Sequence, residues 1–173
     1  MKKIFTIAIA TLVAGTSFAQ TSKGNWLVGG SAGFNSEKTG SADAVSTLNI
    51  SPNAGYFFSN NLAAGLSVSL ESESKHHSSF NFGPMVRYYF AEMGKNAKLF
   101  AHANIGFGSY KPEGGTSVSS TAWGIKAGPA FFLTKNVALE TTVGYSSLKV
   151  KDAADATSNF GVNVGFQIHL GGK

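Results

Sequence analysis

From Asn53 to Leu70 the chain alternates between bulky apolar and small or polar residues with a period of two. Leu62, Ala64, Leu66, Val68 and Leu70 share one side, and Ala63, Gly65, Ser67 and Ser69 share the other, which is the pattern of a strand with one apolar face. Ser59, Asn60 and Asn61 separate this run from the alternation before it, so the segment predicts a hairpin. Ala44 to Leu70 carries no charge, so a transmembrane helix of about 20 residues is the competing reading. Pro52, Gly55 and the Asn60-Asn61 pair would interrupt such a helix.

The same alternation recurs along the chain and predicts eight strands, over about 26–35, 47–58, 62–70, 80–90, 99–108, 122–131, 137–145 and 160–170. Polar connections at 36–46, 71–79, 109–119 and 146–156 are long, and those at 59–61, 91–97 and 134–136 are short. Long and short connections take turns strictly. An up-and-down meander would therefore place four long loops on one side and both termini on the other. The expected fold is all-β, an eight-stranded antiparallel up-and-down transmembrane β-barrel.

Volume decides which face points inward. An eight-stranded barrel has an interior just wide enough for side chains to fill it or for one small ligand. The apolar face carries Trp26, Trp123 and most of the Phe and Tyr residues, too much bulk for that space, whereas the other face is largely Gly, Ala, Ser and Asn. The apolar face must then look outward, and a chain with an apolar exterior band needs lipid as its solvent. A soluble ligand-binding barrel would need the reverse. Trp26, Phe34, Tyr56, Tyr88, Phe107, Trp123 and Tyr145 lie near the ends of the apolar rows, where interfacial girdles are expected.

The amino terminus has the form of an export address. Lys2 and Lys3 precede the apolar run Ile4 to Ala14, and Ser17-Phe18-Ala19 offers small residues at a cleavage site. Residues 1–19 are thus expected to be a signal peptide, cut before Gln20, with the barrel over 20–173. Cleavage removes two lysines and lowers the net charge from +5 to +3, too little and too scattered to indicate nucleic acid. The chain has no cysteine, so its stability must come from burial and backbone pairing rather than disulfides.

With these features, the chain resembles small bacterial outer-membrane β-barrel proteins of the OmpA/OmpX-like architecture, over essentially all of residues 20–173. The segments that carry the likeness are the Gly-Tyr-Phe-Phe then Asn-Asn hairpin at 55–61 and Gly-Pro-Met-Val-Arg-Tyr-Tyr-Phe at 83–90. The resemblance implies a monomer in outer-membrane lipid, periplasmic termini and insertion by the barrel assembly machinery. One departure stands out: such chains usually finish on an aromatic in the last strand, whereas this one runs through Leu170 to Gly171-Gly172-Lys173, with Phe166 the nearest aromatic.

Candidate chemistry is sparse. Gly29-Gly30-Ser31-Ala32-Gly33 has the letters of a nucleophile elbow but falls inside a strand, where the required strand-to-helix turn is missing. His76 and His77 read as solvated residues of a Ser-rich loop, without a third metal ligand. His102 and His169 project inward and read as hydrogen-bonding lumen residues. No catalytic residue, cofactor or metal is expected. The inward face does hold Arg87, Lys126 and Glu140, with Arg87 and Glu140 near the same turn-side rim and Lys126 somewhat higher. Charges in a narrow interior must pair or cost several kcal/mol each. A network joining them to Tyr89, Asn104, Asn163 and Gln167 is therefore expected. Two roles follow: a non-enzymatic envelope protein with a plugged polar lumen, meeting extracellular ligands or surfaces through its four loops, or alternatively a narrow pore for small solutes or ions.

Overall fold

The computed structural model describes residues 19–37, 45–73 and 77–171. After a single 3-10 turn, Ala19–Thr21, come β1 (Trp26–Glu37), β2 (Val45–Ser59), β3 (Leu62–Glu73) and β4 (His77–Glu92). The second half is β5 (Ala97–Pro112), β6 (Val118–Phe132), β7 (Val137–Val150) and β8 (Thr157–Leu170). Each strand pairs antiparallel with the next, and β1 pairs with β8, so the sheet closes on itself. Closure leaves no edge whose backbone groups hydrocarbon could not hydrogen-bond.

The period-two pattern sorts residues as the volume argument requires. Leu66, Ile125, Val143 and Phe160 are exposed on the outside, while Asn53, Ser67, Asn81 and Thr142 are buried inside. Of the outward aromatics, Trp26 meets Tyr56 edge-on at 5.3 Å near the turn side, where Tyr88 also lies. Phe107, Trp123 and Tyr145 sit nearer the loop side, and the Trp123 and Tyr145 rings are 5.5 Å apart. The side chain of Phe34 lies outside the described residues, as do residues 1–18, His76 and Gly172-Lys173.

Three prolines interrupt the ladder without breaking the barrel. Pro52, Pro84 and Pro129 each pair on one side, with Gly30, Leu66 and Leu99 respectively. On the other side the ladder skips a step, between Ile50 and Asn53, Phe82 and Met85, and Ala127 and Ala130, before resuming in the same register. The missing proline N–H faces the skipped step. At the turn side, Asn61 (φ 64°) and Gly94 (φ 69°) supply the left-handed residues that tight connections need.

One expectation about the loops is corrected. Part of each polar segment assigned to a long connection is strand: β3 runs on to Glu73, β4 starts at His77, β5 extends to Pro112 and β7 to Val150. Glu71 pairs with Ser79 and Glu73 with His77. The physical reason is that polar side chains do not end a strand. The backbone ladder continues wherever a neighbour is in register, and above the apolar band both faces can meet water.

Leu66, near the middle of β3 and 60% exposed, tests the outward assignment. Leu66→Arg should destabilise the barrel in bilayers by roughly 2–4 kcal/mol, the cost of an arginine at the lipid midplane, in a urea titration. A change within about 0.5 kcal/mol, ordinary for a wet surface, would place that face in water.

Candidate functional site

The buried heart of the molecule lies inside the barrel at the turn-side end. Leu27 on β1, Phe57 on β2, Phe100 on β5 and Phe132 on β6 all point inward and are at most 3% exposed. The strict alternation dictates their direction, since each falls in phase with the small inner residues of its own strand. The inner face is therefore not uniformly small and polar. Its turn-side end is aromatic.

Within this cluster sits a buried ion pair. Arg87 is fully buried and Glu140 is 2% exposed, and Arg87 Nη1 donates to Glu140 Oε1 at 2.5 Å across the lumen from β4 to β7. The same guanidinium donates to Tyr89 Oη at 3.3 Å and, through Nε, to His102 Nδ1 at 3.4 Å. Its carbon lies 4.3 Å from the centre of the Phe100 ring, a cation–π contact. Tyr89 Oη is also 3.3 Å from His169 Nε2, and the His169 ring stacks on Phe57 at 5.9 Å. His102 and His169 thus lie in the lumen as read from the sequence.

The other members of the expected network stand elsewhere. Lys126 Nζ donates to Ser31 Oγ on β1 at 2.9 Å, not to Glu140. The cause is strand stagger. Arg87, His102, Lys126 and Gly144 form one continuous cross-strand rung, and Glu140 lies four residues further toward the turn side on β7. Gln167 is fully buried near Glu140's strand, but neither of its amide atoms has a hydrogen-bond partner. It packs against Gly29, where an added Cβ would stand 2.6 Å from Gln167 Oε1. Asn104 and Asn163 are half-buried higher up, their side chains lying over Gly124 and Gly33.

Residues not singled out in the sequence close the turn-side mouth. Lys98 Nζ donates to Thr21 Oγ1 at 2.9 Å and to Asn61 Oδ1 at 3.0 Å. Asn61 N donates to the Thr21 carbonyl at 2.7 Å, and Phe57 N to that of Asn25 at 2.9 Å. The 3-10 turn therefore folds beneath the barrel, and Gln20 and Thr21 are buried there. At the loop-side mouth, His77 is not a solvated loop residue. It faces inward on β4, with Nε2 3.1 Å from Glu71 and its ring 5.0 Å from Tyr110. Carrying the alternation back from Phe80 would have shown this, because His77 is in phase with Asn81. Among the described residues no group of three or more His, Asp or Glu is arranged to hold a metal ion.

A closed barrel with an apolar exterior and a charged, buried interior defines a membrane-spanning β-barrel protein. The chain belongs to the family described as outer membrane protein beta-barrel domain, whose model matches residues 5–167, and it is a protein of the bacterial outer membrane. In fold it is similar to Neisserial surface protein A, with a TM-score of 0.65 and 18% identity over 84% of this chain and 97% of that one. It is also similar to the N-terminal β-barrel domain of Pseudomonas aeruginosa OprF, with a TM-score of 0.54 and 12% identity over 86% and 98%. No curated protein matches it by sequence.

Proposed function

We propose that the protein is a non-enzymatic, monomeric barrel of the outer membrane. Its lumen is closed at the turn-side end, and its loop-side hairpins act as an envelope structural and surface-interaction element. One observation carries this reading: the Arg87–Glu140 pair is buried against Phe100 and Tyr89 in the turn-side lumen, where Leu27, Phe57 and Phe132 are also at most 3% exposed. An eight-stranded lumen filled by such side chains leaves no room for a continuous water column. Residues 1–19 serve as the signal peptide, and the barrel assembly machinery inserts the rest. Trp26, Tyr56 and Tyr88 form the inner aromatic girdle, with Phe107, Trp123 and Tyr145 at the outer one.

Planar-bilayer recording tests the closure. The purified barrel should carry no steady current across voltage. A stable ohmic conductance would overturn the plug and establish the narrow pore instead.

A further inference from the structure

We propose that the outward face of β2 to β5 at the loop-side rim is a binding site for one membrane lipid, with Lys111 and a pair of serines receiving a headgroup phosphate and the apolar rung below receiving an acyl chain. The site is built from two successive cross-strand rungs. In the lower one Ile50, Leu70 and Phe80 stand side by side and Ser109 follows. In the upper one Leu48 is followed by Ser72, Ser78 and Lys111. All eight side chains share the outer face, since each is in phase with exposed Leu48, Ile50, Leu70 or Phe80.

Small serines between a leucine wall and a lysine wall leave a depression, and a groove of about 390 Å³ lies there, within the range of ordinary ligand sites. Its chemistry changes with height. The rung nearer the membrane centre is apolar up to Ser109, and the rung nearer the outside adds two hydroxyls and an ammonium beyond Leu48. That order matches an amphiphile whose tail points inward and whose headgroup points outward. Hydroxyl and ammonium donors together suit a phosphate.

Among the described residues, nothing engages the charge on Lys111. It is exposed, and it makes no ion pair among the described residues. Glu71 also lines the groove, but it is in phase with the inward side of β3, and its carboxylate lies 3.1 Å from His77 Nε2. Lys149, an outward lysine of β7 toward the loop side, differs in that its Nζ donates to the Ala154 carbonyl at 3.0 Å. Among the described residues, Lys111 is thus a loop-side cation placed over an apolar groove with its donors unspent.

Lipid retention measured by native mass spectrometry on the folded full barrel in neutral micelles tests the proposal. The probes are phosphatidic acid and diacylglycerol with identical acyl chains, with inorganic phosphate as competitor. Phosphatidic acid should be retained about five-fold over diacylglycerol, the contribution of one lysine near a lipid phosphate. Lys111→Ala should bring the two lipids to parity, and Lys149→Ala should keep the preference. Because Lys111 is exposed, the Lys111→Ala barrel should show unchanged heat-modified gel mobility. Equal retention of both lipids by the unaltered protein, or an undiminished preference in Lys111→Ala, would overturn the site. Displacement of the lipid by inorganic phosphate would overturn the lipid as its occupant. None of these outcomes depends on whether the lumen conducts.

Discussion

Glu140→Ala should destabilise the folded barrel by about 3–5 kcal/mol, because it leaves the Arg87 guanidinium buried without its carboxylate. Arg87 is 0% exposed, and its remaining oxygen and nitrogen partners at Tyr89 and His102 are neutral acceptors at 3.3 and 3.4 Å. The midpoint of urea unfolding from liposomes measures the effect. The companion experiment separates a broken pair from a stabilising one. Arg87→Met combined with Glu140→Leu removes both charges and keeps volume in the lumen, so most of the loss should be regained. If Glu140→Ala left the unfolding midpoint unmoved, the pair would not be a structural element of the lumen.

Phe100→Ala should cost a further about 3–5 kcal/mol on its own, the usual penalty for emptying a buried aromatic site. The ring touches Tyr89 at 5.6 Å between centroids and lies under the Arg87 guanidinium, so its removal opens a cavity and strips a cation–π contact worth about 0.5–2 kcal/mol. Phe107 provides the internal control. It is on the same strand but 55% exposed on the outer face, where an acyl chain can fill the space of a lost ring. Phe107→Ala should therefore cost much less than Phe100→Ala. Equal costs at the two positions would mean that the turn-side lumen is not a packed interior.

These two positions also mark how far the chain could be read unaided. The hairpin at 53–70, the outward row of Phe80, Phe82, Val86 and Tyr88, and the inward placement of Arg87 and Glu140 all follow from period-two alternation. In a strand that period is fixed by backbone geometry and needs no partner. Composition added the direction, because a narrow barrel cannot hold the bulkier face. Strand ends differ from the sequence pattern where polarity replaces hydrophobicity along the chain. Glu71, Glu73 and His77 look like loop residues, yet they pair as strand, since the ladder depends on a neighbour in register and not on the side chain.

What the sequence determined by itself was therefore local: strand phase, the number of strands and the choice of lipid for the outer face. What only the tertiary structure decided was which inward residues meet. Arg87 reaches Glu140 while Lys126 reaches Ser31, and the turn at Ala19–Thr21 docks on Lys98 and Asn61. Those contacts cross the lumen between strands far apart in the chain. They are set by the tilt and stagger of the closed sheet, a property of all eight strands together that no single segment encodes.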